Sequence, residues 1–366
     1  MPLFASRTAR PSKACRDRVY RTPHPVESLE GRVLMDATVT LVKGTATKVN
    51  FVDADGSNSS ISLSGDGTVA VQFGGAVTQA AKGKTVTVTG TPTSVAVGAN
   101  GTTAKSTISM SGKKGANGLL NVDSVTVLGA LSALKAKTAA IAGNLGVTGS
   151  AGNVSIDSDA AGAVTADSIA KLTVAHAFAA GLTTNTLGSF KAGDVIGGTW
   201  TAGGTKTTVT ANSISGLTAT FGTVKKVAVK KDIVNSTLRA AASIGTVQAA
   251  TLRASNVYAG LANLAAGLLP TVPADFTTTS SIDNLKLKNF AAGSIVAASS
   301  VGKATLGTVE QVVSPQFGVG AHQIENLTAT VSGKKLKLKK ADAQSDVDNA
   351  FAAAGILPQG FVIKIV

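Results

Sequence analysis

Several groups of residues have types and spacing that chemistry could use. Asp53-Ala54-Asp55-Gly56-Ser57-Asn58 sets carboxylates at alternate positions beside a glycine, a pattern that suits calcium. The glycine arrives early for an EF-hand loop and the distal glutamate is missing, so a hairpin turn closed by side-chain bonds to its own backbone fits the same residues. Asp157 and Asp159 stand at strand spacing, and both point to one face if Ile156 points inward. Two carboxylates brought together are what most glycoside cleavage uses, although a pair beside Gly and Ala also suits a turn. In Lys334-Lys335-Leu336-Lys337-Leu338-Lys339-Lys340, alternation puts Lys335, Lys337 and Lys339 on one side and the leucines on the other. Such a row can hold an anionic ligand, or it can guard a sheet edge against unwanted strand addition. The single tryptophan, Trp200, suits either a sugar ring or the core.

Other chemistries lack their residues. His24, His176 and His322 are far apart and in no metal spacing, and Cys15 has no second cysteine and no neighbouring histidine. No phosphate-binding glycine loop or nucleophile elbow occurs among the 40 glycines. The net charge of +14 is spread along the chain, and the densest lysine run has neither arginines nor aromatics beside it, which argues against nucleic acid. No apolar stretch is long enough to predict a membrane-spanning helix.

The elements that must position these residues are strands. Apolar residues make up 44% of the chain and aromatics only 4%, so the core must be thin. The first β-rich region, residues 37–120, alternates apolar and polar positions, as in Val69, Val71 and Phe73 or Thr85 to Thr89. From residue 121 to 330 a unit recurs: an apolar residue, two variable ones, an apolar one, one variable, then an apolar residue or alanine. It reads Val122-Val125-Val127, Ile169-Leu172-Val174, Ile214-Leu217-Ala219, Val224-Val227-Val229, Ile244-Val247-Ala249 and Ile282-Leu285-Leu287, among others. A second unit follows at a near-fixed offset: Val195, Trp200 and Ala202, then Ile233, Leu238 and Ala240, then Leu252, Val257 and Ala259, then Phe290, Ile295 and Ala297. A period of roughly 18–20 residues is too short for helical repeats and predicts a parallel β-helix, a β-solenoid stable only when its turns stack. Residues 261–279 break the period with Pro270 and Pro273, and should leave the coil as a loop whose leucines and Phe276 pack back on it or offer an interaction patch. Residues 331–366 should form a small α/β cap, with a helix from Ser345 to Ala354 and a last strand from Phe361.

Residues 1–36 form a basic leader with no periodicity, expected to be disordered, and without the apolar core of a conventional secretory signal. Within it, Val26 to Met35 reads VESLEGRVLM. This segment resembles the LEPR-XLL sorting segment of planctomycete surface and secreted proteins, with Glu27, Leu29, Glu30, Arg32 and Leu34 matching, Gly31 in place of proline and Met35 in place of the last leucine. A short helix capped by Ser28 also fits these residues. The resemblance implies export to the cell surface or medium. With no catalytic signature in the repeat, the expectation is a structural or adhesive protein without enzymatic activity, its partners cell-envelope components or acidic polysaccharide. The alternative is a carbohydrate-binding or polysaccharide-processing β-helix.

Overall fold

The computed structural model describes residues 36–366 except 116–117, 205, 262–263, 313–315 and 358. The five matching sorting residues, Cys15 and His24 lie outside the described residues.

The described chain is all-β, a β-solenoid of about 11 turns with mostly parallel strands and one small C-terminal helix. One turn shows how the sequence produces it. Val224–Val229 points Val224, Val227 and Val229 inward; Asp232–Val234 turns Ile233 inward; Thr237–Ala240 does the same with Leu238 and Ala240. The next turn repeats the sequence of events with Ile244–Arg253 and Asn256–Ala259. A lone turn has no partner for the backbone N–H and C=O groups of its strands, so each turn is held by the ladders it makes with its neighbours.

Three ladders run along the coil. On the first face Val97, Val125, Leu145, Val164, Leu182, Trp200, Ala219, Leu238, Val257, Val296, Val319 and Ile363 stack in register. On the second face the stack is Ile108, Leu134, Val154, Leu172, Phe190, Val209, Val227, Val247, Leu285, Ala304 and Leu327. A third ladder carries Val122, Ile141, Ala160, Phe178, Val195, Ile214, Ile233, Leu252, Phe290, Val309 and Val331. All of these side chains are buried.

The register corrects the sequence reading in three places. Ile214 stacks on Val195 and Ile233 in the third ladder, and Val209 fills the second-face position between Phe190 and Val227. The apolar template misses Val209 because its unit opens with Thr207, a buried residue whose hydroxyl donates to the Leu187 carbonyl at 2.8 Å. Val122-Val125-Val127 likewise straddles the third ladder and the first face. Finally, Val296 and not Ile295 stacks on Val257, because the corner after Phe290 is one residue longer than the corner after Leu252. The extra residue turns Ile295 and Ala297 outward and leaves Ala298 in the buried core.

Corners set the turn. Before five successive first-face strands, from Thr199–Ala202 to Ile295–Ala297, a residue takes positive φ: Gly197, Gly216, Asn235, Ala254 and Gly293, at +45° to +71°. Glycine meets this demand without steric cost, and an L-residue does not. The residues that follow Asn235, Ala254 and Gly293 are the buried serines Ser236, Ser255 and Ser294, whose hydroxyls donate to the carbonyls of Val234, Arg253 and Leu252. Each of these carbonyls also accepts a backbone N–H, from Gly216, Asn235 and Ala291 respectively, so the serine is its second donor and ties the corner down further.

Both ends carry capping strands. At the N-terminal end, Ser94–Thr102 and Thr107–Lys113 pair antiparallel with Thr68–Gly74 and Asn58–Ser64. At the other end Lys334–Ala341 folds back antiparallel on Gln323–Val331, and Phe361–Ile365 adds the last first-face strand. The helix runs from Gln344 to Ala353, one residue earlier than Ser345, because the Asp346 carboxylate accepts the N–H groups of Asp342 and Ala343 and fixes its start. Its Val347 and Phe351 are buried against the coil.

The loop after Leu261 packs back on the outer side of the first face. Tyr258, Ile295, Ala297 and Leu261 form a second apolar cluster, covered by Leu264, Leu269 and Phe276. Arg239 spans the seam: its guanidinium lies 4.6 Å from the Tyr258 ring centre and donates to the carbonyls of Leu261, at 2.6 Å, and Leu264.

Candidate functional site

The lysine strand adopts the alternation its sequence implies. Lys335, Lys337 and Lys339 are exposed while Leu336 and Leu338 are buried in the core. Register places Lys335 opposite Thr330, Lys337 opposite Thr328 and Lys339 opposite Asn326, so the three cations continue the outer surface of the second face. The strand pairs on one side only, so its charges also line the last edge of that sheet. Beside it a cavity of about 230 Å³ is lined by Thr305, Thr328, Thr330 and Lys335.

The Asp53–Asn58 segment is a turn that ties itself to the backbone. Asp53 is 5% exposed; one of its oxygens accepts the Ala54 N–H at 2.7 Å and the other accepts that of Asn121 at 3.0 Å. Asp55 accepts the N–H of Ser57 at 2.8 Å, the side-chain-closed turn that fits this sequence. Both carboxylates thus have backbone donors, and no cluster of three or more metal-ligating His, Cys, Asp or Glu occurs among the described residues.

Asp157 and Asp159 do share an exposed side, with Ile156 inward. Their tasks are local. Asp159 accepts the N–H of Ala177 at 2.9 Å, bridging to the next turn, and Asp157 accepts the hydroxyl of Ser155 at 3.4 Å. His176 is exposed, and His322 is half-buried with its ring 4.5 Å from that of Phe276 under the loop. Trp200 is 1% exposed. It packs edge-on against Phe178 and Phe190 at 5.5 and 4.6 Å and donates its indole N–H to the Ala180 carbonyl, so it fills the core where the three ladders meet. A cleft of about 460 Å³ in the antiparallel region is lined mainly by neutral polar residues with Lys48 and Lys113.

Among the described residues, two ionisable groups depart from their usual range, both at the loop. Burial pushes the Tyr258 hydroxyl up, against the opposing pull of its backbone bonds and of Arg239. The Asp275 carboxyl is held down by the N–H groups of Thr271 and Val272, and it closes a turn at Pro273–Asp275. Both shifts belong to the packing of the loop.

No protein-family model matches the chain, and no curated protein or solved structure matches it. No helix among the described residues is long and apolar enough to cross a membrane.

Proposed function

We propose that the chain is an exported, surface-associated structural or adhesive protein that works through its outer faces. The observation that carries this reading is the continuity of the three buried ladders, which turn a chain poor in aromatics into a stiff stack capped at both ends. At the spacing of neighbouring strands, 11 turns extend roughly 50 Å. Export is supported by the LEPR-XLL-like segment around Glu27 to Leu34. Fractionation of the native host tests it: full-length protein is expected in the envelope or the medium, and a chain lacking residues 1–35 is expected to stay inside. Intact protein found only in the cytoplasm overturns export.

A second reading is favoured by the exposed row Lys335, Lys337 and Lys339, namely carbohydrate recognition or processing on the outer surface. Incubation of the protein with acidic polysaccharides separates the two. Release of reducing ends would replace the structural reading with an enzymatic one.

A further inference from the structure

The lysine strand is the last member of a longer array. On each strand of the second face, the residues just before and just after the inward ladder residue point outward. The column before it contains Lys171, Lys226, Lys303 and Lys339, joined by Ser189, Thr208, Thr246, Asn284 and Asn326. The column after it contains Lys135, Lys191, Lys286 and Lys337, joined by further serines, threonines and Gln248. All eight lysines are exposed, and neither ion pair among the described residues involves them. Neither column contains an aspartate or glutamate. The acids stand to the side, at Asp283 and Glu325 one position further out and at Asp157 beyond the end of its strand.

We infer that this face binds an acidic polysaccharide chain lying along the coil axis. The inference rests on the surface reading above and gives it a ligand class. Spacing is the first argument. Lys171, Lys226 and Lys303 recur every third turn. Three strand spacings are about 14 Å. That is too wide for one small anion and suits a polymer carrying repeated carboxylate or sulfate groups. Chemistry is the second. Between the lysines stand hydroxyl and amide side chains, partners for sugar hydroxyls. The two columns hold no aromatic residue to stack a base and no arginine fork, and their only apolar members are Ala133 and Ala228, too little to enter a bilayer. Rigidity is the third. Every strand of the face is fixed in a ladder, so binding orders little of the protein.

The test is binding of the full-length protein to polygalacturonate, with dextran and single-stranded DNA as comparison polymers. Polygalacturonate is expected to bind at low salt and to be released as salt rises. The triple variant Lys171→Glu, Lys226→Glu, Lys303→Glu should weaken it by about tenfold or more. A control triple of equal charge change, Lys82→Glu, Lys84→Glu, Lys105→Glu, alters exposed lysines of the antiparallel region and should leave affinity within about twofold. If the first triple does not fold, Lys171→Thr, Lys226→Thr, Lys303→Thr uses a residue already present in these columns and should still weaken binding. Equal losses from both triples would reduce the effect to net charge and overturn the site. DNA bound more tightly than polygalacturonate would replace the ligand class, and no binding to any of the polymers would overturn the inference while leaving the fractionation result untouched.

Discussion

The two long faces of the coil are alike inside and unlike outside. Inward, both present an unbroken stack of buried, mostly apolar side chains at the same interval. Outward, the middle turns of the first face carry Thr165, Thr183, Thr201 and Thr220 in successive positions, and the second face carries the lysine columns. The stack constrains one side of each strand strictly and leaves the other free. What distinguishes the faces is therefore written on residues that contribute little to holding the coil together. That asymmetry can be broken by substitution at neighbouring positions of one strand.

The largest effect is expected on the second face between Val247 and Gln248. Val247 is fully buried and Gln248 is exposed one residue later. Val247→Glu buries a carboxylate with no partner and should cost about 4 kcal/mol or more, enough to unfold neighbouring turns. Gln248→Glu should stay within about 0.5 kcal/mol. Urea and thermal melting of the two variants check this, and equal losses would mean that the outer column is structural after all.

The same contrast on the first face is expected to be slightly smaller. Trp200→Ala removes the side chain that closes the ring of Phe178 and Phe190 and should cost about 3–5 kcal/mol. Thr201→Ala, on the outer side, should change the melting temperature little. If Trp200→Ala were mild, the core at that turn would be looser than its edge-on ring contacts imply.

These two strands also show what the sequence made legible. Apolar residues at a period of 18–20 gave away the coil, and the template residues proved buried even where they were assigned to the wrong ladder. Misassignment arose where the core uses a hydroxyl, as at Thr207, or where a corner gains one residue, as before Val296, because neither event leaves an apolar signature. The row of Lys335, Lys337 and Lys339 was visible because alternation along one strand is local. Lys171, Lys226 and Lys303 were not, since they meet only through the stacking register. Aligning the units on their second apolar residue, Leu172, Val227 and Ala304, would have shown a lysine directly before each.

The corner that feeds the first face offers a gain in stability. Ala254 holds φ +45° where Gly197, Gly216 and Gly293 occupy the equivalent corners, and its side chain is exposed. A left-handed conformation costs an L-residue about 1–2 kcal/mol, of which the greater freedom of glycine in the unfolded chain cancels part. Ala254→Gly should therefore stabilise by about 0.5–1 kcal/mol. A raised melting temperature checks it; a fall would show that the corner depends on the methyl group.

The smallest effect sharpens the comparison between the faces most directly, because it measures the charge array without a ligand. Lys171 and Lys191 lie on adjacent strands in opposite columns, diagonal neighbours across the second face. Like charges at roughly 7–8 Å repel, and in water the cost is a few tenths of a kcal/mol. Lys171→Thr and Lys191→Thr, which give this face the outer chemistry of the first, should each raise the melting temperature slightly at low ionic strength. At about 1 M salt the Debye length falls to 3 Å and the gain should vanish. Thr183→Ser on the first face should show no such salt dependence. A gain that persisted at high salt would come from strand propensity, since threonine suits a strand better than lysine. A salt-dependent gain would establish that the lysines stand close enough to strain the bare face, a strain that an acidic chain laid along the coil would relieve.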